Sequence, residues 1–572
     1  MRRLFKVFKF YDYLILIAVF GLILAQTYFE MEFIGFTQEM LSLVGVADSA
    51  TPYWEVGKKM LIVALIIFAS IVIKNIISAF LSSRISKDLR RQVYRKVNEF
   101  SSAEINKFST ASLITRSTND ITQVQRTLLM VIRMLFTAPC MAFFALRKIT
   151  LSNYSLTWTS LGFVLFMLVI IISLLFFVLP KFNVMQKLTD KLNLVTRENL
   201  TGIRVVRAYN AEKTQEQKFN NVNEDLTKTN LFLNKMMTLL NPLLSLIMST
   251  MTLTLYWIGA TLINNDQLNY PALATFSQYS MHIVMSFMFI TIMFVMIPRG
   301  LVSLRRVNEI LDQEISVKDG SIEKSENLGT IEFRDVSFSY PNSEEPVLQN
   351  ITFKAEKGET IAFIGSTGSG KSTLINLIPR FFDATSGEVL VDGINVKAYN
   401  LETLHDKIGY VPQKANLFSG DIRSNMKLSN KEIDDDNIEK VLEVAQCSFI
   451  ERLEDGYTQP VSAGGKNFSG GQKQRLSIAR AIAKSPEIYI FDDSFSALDF
   501  KTDKTLRQAL RKHTKEATNI IVAQRINTIK EADKIIVLDD GKIVGMGTHD
   551  ELIASNKVYK EIAESQVKKG DI

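Results

Sequence analysis

The segment Thr157 to Leu179 contains no charged residue, and this constrains the fold more than any other feature of the chain. About 20 mostly apolar residues cross the hydrocarbon core of a bilayer, and a helix satisfies its own backbone hydrogen bonds there. Other segments have the same character, so the sequence predicts six transmembrane helices, at about Tyr13 to Phe36, Met60 to Phe80, Leu128 to Leu146, Thr157 to Leu179, Met236 to Ile263 and Phe276 to Ile297.

The connections between these segments differ in charge. Residues 37–57 and 264–275 contain no lysine or arginine, whereas residues 83–127 and 180–235 are rich in both. Because lysine and arginine accumulate on the cytoplasmic side of membrane proteins, we expect both termini in the cytoplasm, with Arg147 and Lys148 as a local exception. The basic stretch Met1 to Lys9 is interpreted as an interfacial helix before the first span, not as a cleaved signal.

The overall charge has a membrane explanation. A formal net charge of +7 and a pI near 9.0 would also suit a nucleic-acid-binding protein, but retained cytoplasmic lysines and arginines account for the excess. We therefore expect no nucleic-acid partner. The two cysteines, Cys140 and Cys447, predict neither a disulfide framework nor a cysteine metal site.

A glycine-rich loop lies between an apolar, strand-like segment, Thr360 to Ile364, and a helical one that begins at Thr373. Glycines let backbone N–H groups surround phosphates, a lysine adds positive charge, and a hydroxyl can bind Mg²⁺. The alternative is a Gly/Ser turn that happens to precede a lysine, but the flanking strand and helix favour a site for a nucleoside triphosphate. The predicted nucleotide-binding residues here are Gly365, Ser366, Thr367, Gly368, Ser369, Gly370, Lys371, Ser372 and Thr373, with Ser372 also a Mg²⁺ ligand.

Further motifs follow this loop in order. They are Tyr410-Val411-Pro412-Gln413, Phe468-Ser469-Gly470-Gly471-Gln472, the apolar run Ile488 to Phe491 that ends in Asp492, and Ser496-Ala497-Leu498-Asp499. With these motifs the second half resembles an ATP-binding cassette, and nearly the whole chain resembles an ABC exporter half-transporter. The resemblance implies a multidomain fold: an all-α six-helix transmembrane domain with long cytoplasmic helix extensions (residues 1–318), a linker (319–329) and an α/β P-loop nucleotide-binding domain (330–572).

The resemblance also implies roles for the matching residues. Tyr340 would stack on adenine, Gln413 would reach Mg²⁺ and the attacking water, and Asp492 would hold Mg²⁺. The signature motif and the D-loop would contribute to an ATP bound by a second cassette, because N–H groups at a helix start attract an anion. These residues are Ser469, Gly470, Gly471, Gln472 and Asp499. Two chains are therefore expected to close head to tail around two ATP molecules.

The chain departs from the family pattern at four positions. Asp493 stands where fast members have the glutamate that orients the attacking water, and the lost methylene withdraws the carboxylate by about 1 Å. Gln524 replaces the switch histidine, and an amide carries no proton at neutral pH. Phe468 replaces the usual leucine of the signature, and Ala463 replaces a common glutamate of the loop that communicates between the domains.

Two departures in one pocket, beside an intact Ser-Gly-Gly-Gln, resemble the degenerate-site subunit of bacterial heterodimeric multidrug ABC exporters. The resemblance implies ATP-driven efflux of hydrophobic or amphipathic compounds across the plasma membrane, with a homologous half-transporter as partner. A homodimeric lipid or peptide exporter and an ATP-gated regulatory protein stay open as alternatives. A soluble ABC ATPase of repair or translation is disfavoured by the six predicted spans.

The cargo and the transmission path have weaker signals. The methionine- and phenylalanine-rich segment Phe276 to Ile297 can adapt to varied apolar ligands, or can face lipid and other helices. His282, Glu30 and Glu32 lie in or near spans, where ionisable groups often face a cavity, and an external interface stays open as the alternative for the two glutamates. Polar turns in the long cytoplasmic connections, around 108–120 and 207–213, are the expected contacts with the nucleotide-binding domain.

Overall fold

The computed structural model describes residues 8–44, 49–151, 154–326, 328–341, 343 and 345–566. The chain forms two compact units. We call the first the membrane unit (Met1–Lys96 and Ala111–Asp312) and the second the cassette unit (Val97–Thr110 and Gln313–Ile572). The domain boundaries at 318 and 330 stay a prediction.

The first part of the chain is helical throughout. Its helices are α1 (Phe10–Ser42), α2 (Thr51–Asn98), α3 (Ser102–Phe108), α4 (Thr110–Thr115), α5 (Ile121–Met134), α6 (Thr137–Thr150), α7 (Tyr154–Thr201), α8 (Ile203–Ala208), α9 (Glu212–Asn264) and α10 (Tyr270–Asp312). Within the described ranges, six helical stretches are long and apolar enough to span a membrane, and each contains one predicted span. The third stretch joins α4, a π turn at Arg116–Asp120, α5 and α6. The predicted all-α membrane part is confirmed.

Close packing joins α10 to α5 in the membrane unit. A Cβ atom on Gly300 would lie 2.3 Å from the Thr127 hydroxyl oxygen, so only glycine allows the two helices this approach. Nearby, the Ser303 hydroxyl donates to the Asp120 carboxylate at 2.8 Å, and Arg116 donates to Glu309 at 2.8 Å. Polar side chains thus hold the π turn against the end of α10.

Two sheets form the frame of the cassette unit. A four-stranded sheet has the order β2-β1-β4-β5 and a six-stranded sheet the order β12-β11-β3-β10-β9-β6. The four pairings from β11 to β6 are parallel, and the edge strand β12 is antiparallel to β11. The strands are β1 (Ile331–Phe338), β2 (Leu348–Ala355), β3 (Thr360–Gly365), β4 (Ser386–Val391), β5 (Ile394–Asn395), β6 (Ile408–Val411), β7 (Gly420–Asp421), β8 (Pro460–Val461), β9 (Ile488–Asp492), β10 (Thr518–Val522), β11 (Lys534–Asp539) and β12 (Lys542–Gly547). The parallel strands are apolar because both their faces are covered.

A second core, made mostly of helices, packs beside the sheets. It includes Phe468, Leu476, Phe495 and Leu498, and it carries the segment that begins at Gly470. The helices of the cassette unit are α11 (Lys371–Ile375), α12 (Leu401–Asp406), α13 (Ile422–Lys427), α14 (Asp435–Val444), α15 (Gly470–Ala483), α16 (Phe500–His513), α17 (Ile526–Ile529), α18 (His549–Ser555) and α19 (Lys557–Gln566). The predicted α/β class of this part is confirmed.

The short helix α3 belongs to the cassette unit although it follows the second span in sequence. Glu104 accepts a hydrogen bond from the backbone N–H of Ser316 at 3.1 Å, and the hydroxyls of Ser101 and Ser316 are 2.9 Å apart. Segment 97–110 therefore packs within the cassette unit, and the contact turns expected around 108–120 and 207–213 stay a prediction.

A buried ion pair predicts one determinant of stability. Lys407 is 6% exposed and donates to Asp392 at 2.8 Å and to Glu487 at 3.1 Å. Lys407→Met leaves the Asp392 carboxylate buried without its cation, so we expect the free energy of unfolding of the cassette unit to fall by about 3 kcal/mol in urea titrations. Lys354→Met removes an exposed pair with Glu356 and serves as control; a change below about 1 kcal/mol is expected for it. Equal changes would contradict the prediction.

Candidate ATP-binding site

The predicted site residues follow neighbouring strands of the parallel sheet. Strands β3, β10, β9 and β6 are adjacent in that order. The carboxyl ends of parallel strands meet at one edge of a sheet, which is where ligands bind in open α/β folds. The glycine-rich loop, Gln524, Asp493 and Gln413 come directly after these strand ends and therefore gather at that edge.

The glycine-rich loop needs its glycines for two reasons. A Cβ atom on Gly365 would lie 2.0 Å from the carbonyl oxygen of Leu538, and Gly370 has φ +94°, a left-handed conformation that favours glycine. Lys371 donates to the carbonyl oxygens of Gly365 and Ser366 at 2.9 and 2.7 Å. The lysine charge is therefore held within the loop, where burial lowers the pKa of Lys371 although nearby carboxylates oppose this.

The donor set beside the loop fits Mg²⁺. The Ser372 hydroxyl donates to the Asp492 carboxylate at 2.8 Å, which places two hard oxygen groups next to each other. Asp492 is 6% exposed, and burial raises the pKa of its carboxyl, with the charge of Asp493 acting in the same direction. When bound, the cation would neutralise phosphate charge; this chain's part is to hold the hydroxyl and the carboxylate together.

The two departures from the family pattern contact each other directly. One carboxylate oxygen of Asp493, Oδ2, accepts hydrogen bonds from the Gln524 amide at 2.9 Å and from the Gln413 amide at 3.2 Å. The backbone of Asp493 has φ +46°, and its N–H donates to the carbonyl of Val522 at 2.9 Å. Burial raises the pKa of the Asp493 carboxyl, opposed by hydrogen bonds from Gln413 and Ser496. The three predicted catalytic side chains thus form one hydrogen-bonded group.

Tyr340 lies beside the helix that follows the loop. Its hydroxyl is 2.9 Å from the Thr373 hydroxyl, and its ring makes edge contacts with Phe338 and Phe382. The tyrosine is therefore held near α11, and its stacking on adenine stays a prediction.

The signature motif forms a separate structure. Ser469 caps α15 through a reciprocal pair of hydrogen bonds, in which its N–H donates to the Gln472 side chain at 2.8 Å and its hydroxyl accepts from the Gln472 N–H at 3.3 Å. A Cβ atom on Gly471 would lie 3.3 Å from the carbonyl of Ala497, so the signature touches the D-loop. Asp499 caps α16, and hydrogen bonds from Thr502 lower the pKa of Asp499. Among the described residues, no hydrogen bond joins these groups to the glycine-rich loop.

The sequence analysis missed two supporting side chains. The Tyr410 hydroxyl donates to Asn376 at 3.1 Å, and burial raises the pKa of Tyr410. Ser494 donates to the carbonyl of Val411 at 3.1 Å and so joins the ends of β6 and β9. Tyr410 lies three positions before Gln413 in the same motif, which could have indicated that it belongs to the site. Nothing in the sequence around Ser494 indicated such a role.

A glycine-rich loop with its lysine at the edge of a parallel sheet, together with a separate capped signature helix, is the arrangement of a nucleotide-binding cassette. Comparison with known proteins agrees with this class. Residues 15–287 match the ABC transporter transmembrane region, and residues 348–496 match the ABC transporter domain.

Several relatives share most of the chain. An uncharacterized ABC transporter ATP-binding protein of Mycobacterium tuberculosis is 38% identical over 487 residues, which cover 84% of this chain and 83% of the relative. Another from Bacillus subtilis is 34% identical over 518 residues (90% and 89%). The ATP-dependent lipid A-core flippase of Mannheimia succiniciproducens is 30% identical over 524 residues (89% and 88%).

A solved structure of a bacterial Atm1-family ABC exporter with ATP bound has the same fold, with a TM-score of 0.78, 20% identity and coverage of 100% of this chain and 99% of that one. The chain therefore belongs to the ABC transporter family. It is a multi-pass bacterial ABC exporter polypeptide whose cassette binds ATP and couples ATP hydrolysis to transport, and ABC exporters work as dimers in the bilayer.

The geometry of Lys371 predicts its effect on ATP affinity. Lys371→Ala removes the charge held within the loop, and a lost hydrogen bond to a charged group costs about 1.5–3 kcal/mol, so we expect ATP binding at least about tenfold weaker by fluorescent-nucleotide titration. Lys357→Ala is the control, because Lys357 lies in an exposed turn at the end of β3 opposite the glycine-rich loop, and this variant should bind ATP with the parent affinity. A Lys371→Ala protein with unchanged affinity would show that ATP binds elsewhere.

Proposed function

We propose that this chain is the slow-site subunit of a heterodimeric ABC exporter, which moves hydrophobic or amphipathic compounds out across the bacterial plasma membrane. Its own loop holds an ATP that turns over slowly, and its signature completes the fast pocket of a homologous partner. The observation that carries this proposal is the hydrogen bond between Gln524 and Asp493.

The position of the Asp493 carboxylate weakens catalysis for a geometric reason. The aspartate carboxylate is one methylene shorter than a glutamate, and two amide donors hold the same oxygen. A base that is withdrawn by about 1 Å from the attacking water can lose about 100-fold in rate. Gln524 can donate a hydrogen bond but cannot take up a proton near neutral pH, so it does not replace a histidine in that role.

The groups proposed to bind ATP are all present in the same pocket. Lys371 lies within the glycine-rich loop, and Ser372 and Asp492 would supply oxygen ligands for Mg²⁺, with Gln413 nearby. Tyr340 lies beside α11 and would stack on the adenine. The pocket keeps the groups that bind ATP, and the groups that would activate the attacking water are altered. Such a pocket is suited to bind ATP and to hydrolyse it slowly.

The signature is built to act on another chain. Ser469 and Gln472 form hydrogen bonds with each other, and Gly470, the first residue of α15, is exposed. The exposed start of this helix carries the positive end of the helix dipole. This chain combines an intact signature helix with a weakened base. The signature helix has a use if it completes the efficient pocket, whose glycine-rich loop, catalytic base and histidine belong to the partner chain.

The membrane unit supports an amphipathic cargo. A cavity of about 640 Å³ lies along α9 and α10 and is lined by Ser245, Met248, Ser249, Thr252, Leu253, Tyr256 and Met281. Methionines adapt to varied apolar shapes, and the hydroxyls can bind a polar head. Separately, Lys74 donates to Gln26 at 2.6 Å, and Gln26 donates to Glu30 at 2.8 Å, so charge is kept inside the spans.

The proposal includes an orientation in the membrane. The basic connections 83–127 and 180–235 support a cytoplasmic location for both termini and the cassette. Glu32 pairs with Lys148 at 2.8 Å in the connection after the third span, which supports a position of Glu32 at the external interface.

A homodimeric lipid exporter is the second candidate. The complete set of ATP-binding groups in the pocket, and the likeness to a protein named as a lipid A-core flippase, favour it. In that assembly both pockets would carry Asp493 and Gln524 and both would turn over at the same reduced rate.

Purification distinguishes the two assemblies. We expect the chain alone to hydrolyse ATP slowly and, together with a partner half-transporter that has glutamate and histidine at the corresponding positions, at least about tenfold faster. In the mixed assembly, Ser469→Ala in this chain should abolish most turnover, whereas Lys371→Ala should leave much of it. Brisk hydrolysis by the lone chain, lost on Lys371→Ala, would reject the heterodimer.

Repair of the pocket is a direct test of its weakness. The double substitution Asp493→Glu, Gln524→His should raise the turnover of this chain's own pocket by about 10- to 100-fold, because the longer base reaches the water and the imidazole can carry a proton. The measurement is Lys371-dependent ATP hydrolysis of the purified chain. Asp550→Glu adds the same methylene at an exposed position of α18 and should change nothing. An unchanged rate in the repaired protein would contradict the weakened-base explanation.

A further inference from the structure

The last described helix of the chain reaches the switch segment. The Gln566 side chain donates through Nε2 to the carbonyl oxygen of Gln524 at 2.7 Å, and its Oε1 accepts from the backbone N–H of Ile526 at 2.8 Å. One amide thus bonds both sides of Arg525. Both bonds are short and both use backbone groups, so they fix the path of the switch segment rather than a single side chain.

The segment needs such support. It connects the end of β10 to α17, a helix of four residues, and the residue before that helix, Arg525, provides no side-chain cap. The first N–H groups of any helix lack partners within the helix. Gln566 supplies the acceptor for the Ile526 N–H from outside, as a cap contributed by another element.

The helix α19 is anchored firmly enough to act as this cap. Tyr559 is 0% exposed and Ala563 is 4% exposed, and both pack in a core that includes Ala523 and Ile526. The Tyr559 hydroxyl lies 2.7 Å from a ring nitrogen of His549. Tyr559, Ala563 and Gln566 are spaced i, i+4 and i+7, so they lie on one face of the helix and the glutamine is carried by two buried anchors.

The segment that Gln566 holds leads directly to the proposed reacting group. The backbone carbonyl of Gln524 accepts from Gln566, and the side-chain amide of the same residue donates to the Asp493 carboxylate at 2.9 Å. A shift of the Gln524 backbone therefore moves the donor that orients Asp493. We propose that Gln566 is a positioning residue for the switch glutamine, through which the C-terminal helix sets the rate of ATP cleavage in this pocket.

This inference rests on the proposed binding of ATP at Lys371 and on the proposed role of Gln524. The first experiment measures steady-state hydrolysis of γ-labelled ATP by the full-length chain over a range of ATP concentrations, counted as the part that Lys371→Ala abolishes. Gln566→Ala and Gln566→Met should lower kcat about fivefold and change KM for ATP less than about twofold, because the groups that bind ATP lie on another loop. Ser565→Ala, whose hydroxyl donates only to Ile562 in its own helix, is the matched control and should behave as the parent protein.

A double substitution separates positioning from general support of the fold. In a Gln524→Ala background, Gln566→Ala should lower kcat by less than about twofold more, because the side chain through which it acts is already absent. An equal loss in both backgrounds would overturn the proposal. A Gln566→Glu variant keeps the acceptor for the Ile526 N–H and should recover part of the rate; no recovery alongside unchanged KM would count against the cap.

Hydrogen exchange tests the cap without any turnover. The Ile526 amide should exchange at least about tenfold faster in Gln566→Met than in the parent chain, while Gln566→Glu and Ser565→Ala should keep the parent rate. Unchanged exchange in Gln566→Met would overturn the inference. If Gln524→Ala alone leaves the Lys371-dependent rate unchanged, the proposed role of Gln524 fails, and the exchange rates still decide whether Gln566 holds the segment.

Discussion

The whole nucleotide pocket depends on one constraint of sheet geometry, the alignment of parallel strands β3, β10, β9 and β6. Each strand is buried on both faces and ends at the same edge. The loops after the four ends carry the lysine, the switch glutamine, the acids and Gln413, which are far apart in sequence. Hydrogen bonds across this edge, from Ser372 to Asp492 and from Gln524 to Asp493, then join separate strands into one site.

The sequence was sufficient for those residues because each follows a buried strand in a recognisable motif. It was also sufficient for the six spans, since unbroken apolar runs have one solution in a bilayer. The break of the third span between α5 and α6 does have a sequence marker that the sequence analysis did not use: Pro139 lies in the first turn of α6, where a missing backbone N–H is tolerated.

Long-range side-chain pairs were beyond sequence reasoning. Gln566 lies 42 positions after Gln524 and belongs to no motif, so nothing in its neighbourhood indicates a partner. Lys74 and Gln26 are 48 positions apart on different spans, and each alone is a polar residue in an apolar run. Asp493 was flagged as short, yet the structure was needed to show that both amides compete for the same carboxylate oxygen.

The contact at Gly300 carries a consequence for how the spans can rearrange. The backbone of α10 touches the Thr127 side chain there, and the Ser303 to Asp120 bond lies one turn further along. A small separation of the two helices would lose both the close packing and the buried hydrogen bond, and it would leave no room for water to hydrate the polar groups. Partial separation is therefore unfavourable. The segments of α5 and α10 that meet at this contact should therefore move together, and the flexible joints of the membrane unit must lie at other helix pairs.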